Sequence, residues 1–232
     1  MKAQRPGAAT GSAGQPARRS VLLVDDHPFM RAGLAQLIDR QPDLAVCGEA
    51  GNPAEAFTAL GKSQPDLVLS DITMPGRSGL DFIKDLRARH PGLRVLVVSM
   101  HDEAIYAERA LRAGASGYIM KEAGGENLLA AIRQVLRGET YVSARMAAKL
   151  LESFTAARPR GSSSPIEKLT DREFEVFRLI GEGKSTRDIA AQLHLSPKTV
   201  DVHRSHIREK LALSDSTALV RHAVRWVETA PD

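Results

Sequence analysis

The clearest indication of the fold of this chain is the segment Asp66-Leu67-Val68-Leu69-Ser70-Asp71-Ile72-Thr73-Met74-Pro75-Gly76. Mostly apolar residues lead directly to an acid, and a Pro-Gly turn follows at once. This pattern predicts a buried strand of a parallel sheet that carries the Asp71 carboxylate to the carboxyl edge of the sheet. Binding and reaction sites of open α/β sheets collect at that edge.

Other predicted strands end in polar residues at the same edge. They are Asp25 and Asp26 after the strand at 20–24, Ser99 after the strand at 93–98, and Lys121 after the strand at 117–120. Acids suit a hard cation, a carboxylate can attack as a nucleophile, and a hydroxyl and an ammonium suit phosphoryl oxygens. Together they predict a phosphoryl-transfer site. The alternative is that these acids only end their strands.

Strand-like runs alternate with amphipathic helical patterns between residues 20 and 138. The predicted strands are 20–25, 44–49, 66–71, 93–98 and 117–120, and the predicted helices are 28–40, 53–62, 79–89, 103–113 and 125–137. Five such units in order predict an α/β domain with a five-stranded, doubly wound parallel sheet. An amphipathic helix at 143–157, with apolar Met146, Leu150, Leu151 and Phe154, and a linker at 158–165 follow.

Length, composition and cysteine usage limit the class of protein. The chain has 232 residues, of which 43% are hydrophobic, which suffices for two small domains with real cores. No stretch approaches the ~20 apolar residues of a membrane span, and the N-terminus lacks the apolar core of a signal peptide. Cys47, the single cysteine, is expected to be a small buried residue on an inner strand, which fits a reducing cytoplasm.

The net charge of +4 does not by itself indicate nucleic-acid binding. Residues 1–19 carry four basic residues and no acid, and this Gly-, Ala- and Pro-containing tail is expected to be disordered. From Glu167 onward there are eleven basic and eleven acidic residues. Any contact with DNA must therefore depend on where individual charges lie.

The region after the linker has the start and stop signals of several consecutive helices, which predict an all-helical domain. Thr170-Asp171-Arg172-Glu173 is a capping-box pattern, and glycines at 181 and 183 end the first helix. Ser185 opens a short second helix, and Ser196-Pro197 opens a third. Two short helices joined by a tight turn predict a helix-turn-helix, whose second helix enters the major groove of DNA.

The helix predicted at 197–211 has two distinct faces. Val200, His203, Ile207 and Leu211 form the inward stripe. On the outward face, an arginine can form two hydrogen bonds with guanine, and a valine can contact the methyl group of thymine. Lysine and serine on this face can bind phosphates. An ordinary solvated helix face is the alternative. The predicted DNA-contacting residues are Lys198, Thr199, Asp201, Val202, Arg204, Ser205 and Arg208.

These motifs resemble those of the NarL/FixJ family of two-component response regulators, in which a flavodoxin-like receiver domain precedes a LuxR-type helix-turn-helix of four helices. The motifs are Val24-Asp25-Asp26-His27, Ser70-Asp71-Ile72-Thr73-Met74-Pro75-Gly76, Val98-Ser99-Met100-His101, Gly117-Tyr118-Ile119-Met120-Lys121-Glu122, Leu169-Thr170-Asp171-Arg172-Glu173 and Ser196-Pro197-Lys198-Thr199-Val200-Asp201-Val202-His203-Arg204. The implied organisation is a disordered basic tail at 1–19, a receiver at 20–140, a linker containing a helix at 141–166, and the DNA-binding domain at 167–232.

The resemblance implies a role for each residue of the predicted phosphoryl-transfer site. Asp71 would accept a phosphoryl group from a sensor histidine kinase. Lys121 would pair first with Asp71 and then with the phosphoryl group, while Ser99 would hydrogen-bond it. A cofactor, Mg²⁺, would be held by Asp26, Asp71 and the backbone carbonyl of Thr73, with Asp25 assisting through water. Tyr118 would swing inward as Ser99 moves, and Thr73 and His101 would set the lifetime of the phosphoryl group.

The implied function is that of a phosphorylation-switched transcriptional regulator that binds double-stranded promoter DNA. The chain would not be an enzyme beyond Mg²⁺-dependent self-phosphorylation and autodephosphorylation at Asp71. The last helix, about 215–228, pairs with its twin in this family, which implies a homodimer when phosphorylated; packing only within one chain is the alternative.

Two other classes of function remain open. The chain could be a phosphoryl sink or protein-partner regulator with weak or no DNA binding. It could also be an aspartate-nucleophile phosphohydrolase, although Thr73 stands where such enzymes usually carry a second acid. The family often has lysine where Asp201 stands, so Asp201 is interpreted as a residue that determines base preference, since an acid can accept a hydrogen bond from cytosine.

Overall fold

A computed structural model describes residues 18–74, 78–155 and 165–229 of the chain. Most of the predicted disordered tail at 1–19, the Pro75-Gly76 turn and most of the 158–165 linker lie outside the described residues. At the tail's boundary the prediction is wrong by one residue, because Arg19 is the first residue of a strand that pairs with its neighbours in the sheet. Along the described ranges, no helix is both long and apolar enough to cross a membrane.

Residues 19–120 form the predicted α/β sheet. The strands are β1 (Arg19–Val24), β2 (Leu44–Ala50), β3 (Leu67–Ser70), β4 (Arg94–Ser99) and β5 (Gly117–Met120). They pair in the order β2-β1-β3-β4-β5, and every pair is parallel. The order places β1 and β3 side by side, so their carboxyl ends, with Asp25 and Asp71, are neighbours.

Five helices cover the two faces of the sheet, which confirms the predicted doubly wound architecture. They are α1 (Pro28–Asp39), α2 (Pro53–Leu60), α3 (Gly79–Arg89), α4 (Glu103–Ala113) and α5 (Gly125–Leu136). Buried residues of α1 and α5 share one apolar cluster, and those of α2, α3 and α4 share another. Because both faces are covered, all four residues of β3 are buried, as the apolar run predicted.

The segment after α5 covers the free edge of β5 before the chain leaves the α/β domain. Tyr141 pairs with Gly117, and the Tyr118 amide donates to the Tyr141 carbonyl at 2.8 Å. Helix α6 (Ala144–Thr155) follows, with Met146 buried. Leu151 was expected on the apolar stripe of this helix, but it is 65% exposed because it lies beyond the face that packs on α4.

The environment predicted for Cys47 is wrong. Cys47 is exposed, and the strand that carries it, β2, is an edge strand rather than an inner one. A local apolar run cannot distinguish an edge strand from a central one, because the strand order depends on the whole topology.

Residues 165–229 form the predicted all-helical domain. A short 3₁₀ turn leads into α7 (Asp171–Gly181), α8 (Thr186–Gln192), α9 (Pro197–Lys210) and α10 (Ser216–Thr229). Both Thr170 with Glu173 and Ser185 with Asp188 form reciprocal capping boxes. A Cβ at Gly181 would lie 2.5 Å from the carbonyl oxygen of Ala223, so glycine lets α10 pack directly on α7.

Candidate functional site

Four side chains with oxygen or nitrogen ligand atoms converge at the carboxyl ends of β1 and β3. Asp25, Asp26, His27 and Asp71 each place one such atom within 4.8 Å of the others. Asp25 is 3% exposed and Asp71 is 5% exposed, so two carboxylates are buried next to each other. The three acids predicted from the strand ends are thus brought together, and His27, which belongs to the motif Val24-Asp25-Asp26-His27 but was assigned no role from the sequence, is their neighbour.

Lys121 connects the two buried acids. Its Nζ donates to Oδ2 of Asp25 and to Oδ2 of Asp71, both at 2.7 Å. Burial alone would lower the pKa of Lys121, but the carboxylates of Asp71 and Asp25 outweigh it and raise that pKa above its ordinary value. The lysine is therefore a fixed positive charge beside Asp71.

Backbone amides orient the Asp71 carboxylate from its other side. Oδ1 of Asp71 accepts from the amide of Ile72 at 2.5 Å and from the amide of Thr73 at 3.2 Å. Gly79 makes this turn possible, because its amide donates to the Ile72 carbonyl at 3.0 Å and a Cβ there would collide with that same backbone.

The acid cluster fits a hard divalent cation. Oδ1 of Asp26 is buried and has no hydrogen-bond partner among the described residues, although Nδ1 of His27 lies 2.8 Å from it. An orphaned carboxylate oxygen facing two further carboxylates is a costly arrangement unless a cation joins it. Oxygen donors of this kind are the ligands that magnesium prefers.

Ser99, Tyr118 and His101 lie together at the end of β4. Ser99 and Tyr118 are fully buried. The amide of His101 donates to Oγ of Ser99 at 3.1 Å, and the Tyr118 hydroxyl donates to the His101 carbonyl at 2.7 Å. Tyr118 thus already lies inward here, in the position that the family resemblance assigns to it after switching. Burial raises the pKa of its phenol well above the ordinary value.

His101 also contacts the loop that follows Asp71. Its Nε2 lies 2.6 Å from Oγ1 of Thr73, and its ring stacks on Tyr106 with centroids 5.0 Å apart. Burial, aided by the charges of Arg178 and Lys121, lowers the pKa of His101 to about 4. The imidazole is therefore neutral at pH 7, with one ring nitrogen as donor and the other as acceptor.

Helix α9 has the two faces that its sequence predicted. Val200 and Ile207 are fully buried, whereas Lys198 and Asp201 are exposed and Val202 is 46% exposed. Arg204 and Ser205 are half-buried, and an Arg204 guanidinium nitrogen donates to the Thr186 hydroxyl of α8 at 3.3 Å.

Two further predicted DNA-contacting residues are also only partly exposed. Thr199 belongs to the N-terminal turn of α9, where its amide donates to the Ser196 hydroxyl at 3.0 Å and its own hydroxyl lies 2.8 Å from that hydroxyl. Arg208 is half-buried, and its buried Nε has no hydrogen-bond partner among the described residues. The most exposed of the predicted contacts are therefore Lys198, Asp201 and Val202.

Acids of α7 join the helical domain to the α/β domain. Asp171 accepts from Lys84 of α3 at 2.6 Å and from Arg109 of α4 at 3.2 Å. Glu175 accepts from the Ser78 hydroxyl at 2.9 Å. The sequence did not indicate this interface, because Lys84 and Arg109 have the spacing of solvated helix residues and their partner lies more than sixty positions away.

Comparison with known families assigns both domains. Residues 21–133 match the model of the response regulator receiver domain, and residues 167–223 match that of the bacterial regulatory proteins of the luxR family. These ranges correspond to the α/β domain and to the helical domain described above.

Known proteins are similar to the chain along most of its length. It is 34% identical over 209 residues to the oxygen regulatory protein NreC of Staphylococcus carnosus (strain TM300), covering 88% of this chain and 96% of that one. The Staphylococcus aureus (strain MRSA252) protein of the same name is 35% identical over the same length.

Solved structures agree with this assignment. A LuxR-family two-component response regulator from Aurantimonas sp. SI85-9A1 is 35% identical, with a TM-score of 0.56 over 60% of this chain and 99% of that one. RcsB from Salmonella enterica serovar Typhimurium, bound to promoter P1flhDC with the phosphomimetic BeF3⁻, is 25% identical, with a TM-score of 0.60 over 90% of this chain and 100% of that one. The chain belongs to the NarL/FixJ family of two-component response regulators, which are DNA-binding transcriptional regulators with a receiver domain and a LuxR-type helix-turn-helix.

Proposed function

We propose that phosphorylation of Asp71 by a sensor histidine kinase switches this regulator between states that differ in their affinity for promoter DNA. The receiver would comprise residues 20–140, the linker 141–166 and the DNA-binding domain 167–232. The observation that carries the proposal is the buried Asp25–Lys121–Asp71 arrangement, with its 2.7 Å ion pairs, beside the orphaned oxygen of Asp26.

In the transfer step, a carboxylate oxygen of Asp71 attacks the phosphorus of a phosphohistidine. The P–N bond breaks as the P–O bond forms, and the imidazole leaves with the electron pair and takes up a proton. The Ile72 and Thr73 amides keep the carboxylate oriented. Lys121, already charged, then meets the phosphoryl oxygens, while Ser99 donates its hydroxyl to them.

The residues that would hold Mg²⁺ are Asp26, Asp71 and the backbone carbonyl of Thr73, with Asp25 contributing through a water molecule. When bound, Mg²⁺ would neutralise negative charge on the phosphoryl oxygens. Without a cation, three neighbouring carboxylates face the single ammonium of Lys121, so the approach of an anionic phosphoryl donor would be opposed by charge.

The acyl phosphate would persist for a time set by the residues around it. Thr73 and His101, joined by their 2.6 Å contact, stand next to Asp71 and would limit the approach of hydrolytic water. Ser99 and Tyr118 would carry the change onward, because both are bonded to the backbone of His101. A new charge of about −1.5 to −2 on Asp71 supplies the bias between the two conformations.

The DNA-binding domain would place α9 in the major groove, with the exposed Lys198, Asp201 and Val202 on the side away from the core. The promoter-bound state of RcsB, a relative of the same architecture, supports this proposal. A homodimer on an inverted repeat would use α10, whose Leu219 and Ala223 are buried within the domain while Val220 stays 38% exposed. The phosphohistidine donor and the promoter imply a cytoplasmic location.

The test is binding to a genomic DNA pool with and without a phosphoryl donor plus Mg²⁺. The wild type is compared with Asp71→Ala and with Glu126→Gln, which removes an exposed acid of α5 as a control. We expect donor-dependent binding in the wild type and in the control only. Binding that ignores the donor would refute the switch, and absence of specific binding in every state would favour the phosphoryl-sink function.

A further inference from the structure

A continuous set of side-chain contacts leads from the phosphoryl site to the DNA-binding domain. Thr73 contacts the His101 ring, the His101 ring stacks on Tyr106, and the Tyr106 hydroxyl accepts from Nε of Arg178 at 3.0 Å. Thr73 lies two positions after Asp71, and Arg178 lies on α7. The contacts therefore connect the proposed phosphoryl site of the receiver domain to the first long helix of the DNA-binding domain.

Tyr106 is buried by residues of both domains. It lies on the buried stripe of α4 and is 1% exposed, and the Phe174 ring of α7 packs edge-on against it with the ring centroids 5.5 Å apart. The guanidinium of Arg178 lies 5.8 Å from the centre of the Tyr106 ring. If α7 left the receiver, Tyr106 would lose these partners, and the stacked His101 ring would lose the support behind it.

His101 is bonded to the phosphoryl site through its backbone as well as its ring. The His101 amide donates to the Ser99 hydroxyl, and the His101 carbonyl accepts from the Tyr118 hydroxyl. A movement of His101 therefore affects both residues that must respond to a phosphoryl group. Ser99 cannot move far toward a phosphoryl oxygen without either losing the His101 amide or shifting the His101 loop. A shift of that loop would disturb the stack on Tyr106.

We propose that Arg178 and Tyr106 are positioning residues of the phosphoryl site, which keep His101 against Thr73 while the two domains are docked and thereby oppose occupation of Asp71. The inference rests on the proposed function and deepens it. By thermodynamic linkage, a phosphoryl group that strains the docked contact must promote undocking, and loss of the docked contact must tighten binding at Asp71 by the same factor.

Undocking would also release the ionic contacts of α7. Asp171 would lose Lys84 and Arg109, and the Arg109 guanidinium, 3.9 Å above the centre of the Phe174 ring, would lose that ring. These contacts surround the Tyr106–Arg178 pair and stabilise the docked state, but they do not touch His101. The Ser78–Glu175 hydrogen bond also reaches α7 without His101, whereas the His101 ring reaches α7 through Tyr106. The cost that arises from moving His101 is therefore transmitted to the interface by Tyr106.

The experiment measures the affinity of the full-length protein for BeF3⁻ with Mg²⁺ by calorimetry. We expect Arg178→Met and Tyr106→Phe each to bind about fivefold or more tightly than the wild type, the lower end of typical coupling between sites. Arg178→Lys, which keeps one donor, should fall between. Arg221→Met, which changes an exposed arginine of α10, should match the wild type. Thermal unfolding verifies that each variant is folded.

A double-mutant cycle with His101→Ala tests the route. In the His101→Ala protein, Arg178→Met should give no further gain, because the link to Ser99 and Thr73 is already broken. An equal gain in both backgrounds, or unchanged affinity in both Arg178→Met and Tyr106→Phe, would overturn the inference while leaving Asp71 phosphorylation intact. A wild type that does not bind BeF3⁻ at all would instead overturn the proposed function.

Discussion

Thr73 Oγ1 and His101 Nε2 lie 2.6 Å apart, which joins the loop after β3 to the loop after β4 beside Asp71. Both residues are partly buried, the imidazole is neutral at pH 7, and Thr73 lies two positions after Asp71, with its amide bonded to the Asp71 carboxylate. A water molecule that hydrolyses an acyl phosphate on Asp71 must come close to this pair. We therefore expect this contact to affect how long a phosphoryl group lasts on Asp71.

We expect His101→Ala to speed autodephosphorylation by roughly three- to tenfold, since one lost shielding contact corresponds to about 1 kcal/mol in the barrier. Phosphorylation by a small-molecule donor should change less, because attack by Asp71 does not need the ring. The loss of phosphoprotein on a phosphate-affinity gel measures the lifetime. His90→Ala, an exposed histidine at the end of α3, is the control. Equal lifetimes of the His101→Ala and wild-type phosphoproteins would contradict the prediction.

The cation site gives a prediction about stability. Mg²⁺ at tenfold excess over its dissociation constant should add about 1.4 kcal/mol to the free energy of unfolding, and so raise the melting temperature by about 3–6 °C. Asp26→Asn should abolish this response, and its metal-free form should be more stable than the metal-free wild type, because it removes one charge from a crowded acid cluster. Thermal unfolding in Mg²⁺ and in EDTA measures both effects. An equal response of Asp26→Asn to Mg²⁺ would exclude Asp26 as a ligand.

The secondary structure and the sheet edge were predictable because their determinants are local. The mostly apolar run before Asp71 indicates a strand, and the capping-box pattern at Thr170 indicates the start of a helix. Neither signal requires knowledge of the rest of the chain. Parallel strands then bring their carboxyl ends to one edge, so Asp25, Asp71 and Lys121 could be grouped in advance. Cys47 shows the limit, since edge or central placement depends on the strand order.

The contacts between domains could not be predicted, since they join distant residues with no local pattern. Ser78 and Glu175 are 97 positions apart, and Lys84 and Asp171 are 87 apart. The spacing of Tyr106 in α4 predicts a buried residue, and Tyr106 is buried. Some of the residues that bury it, such as Phe174, belong to the DNA-binding domain, and the spacing does not indicate this. Asp171, in the first turn of α7, could be read from the sequence as an acid that stabilises the helix dipole, and the sequence does not indicate that it also binds α3 and α4.

The pair Glu173–Lys210 connects the capping box of α7 to α9, with Nζ 2.6 Å from Oε2. Burial alone would raise the pKa of Glu173, but Lys210 and the Thr170 amide outweigh it and lower that pKa below its ordinary 4.5. A lowered folded-state pKa means that the carboxylate's contribution to stability is present above about pH 4.5 and is lost as the pH falls through the folded-state value.

Lys210→Met should therefore destabilise the DNA-binding domain by about 1–2 kcal/mol near pH 7, less than a fully buried pair because the Lys210 side chain is 35% exposed. Trp226, the single tryptophan, packs on Phe174 and Phe177 and reports unfolding of this domain by fluorescence. The stability gap between wild type and variant should be constant from pH 5 to 7 and shrink below about pH 4.5. Lys184→Met, at an exposed lysine, should show no gap; a gap for Lys210→Met that persists at pH 3 would refute the assignment.

Asp201 places a negative charge on the exposed face of α9, one turn from Lys198. A carboxylate repels DNA phosphates but can accept a hydrogen bond from the amino group of cytosine, so we expect Asp201 to lower affinity and to increase discrimination between bases. We expect Asp201→Ala to bind DNA more tightly overall, by about fivefold, and to lose discrimination at one base pair worth about 1–3 kcal/mol. Titration of the wild-type site and of single-base variants at fixed salt measures both quantities. Glu209→Gln, an exposed acid two turns further along α9, should change affinity slightly without changing the base preference. Uniformly weaker binding of Asp201→Ala to every sequence would show that the acid stabilises the helix instead of selecting a base.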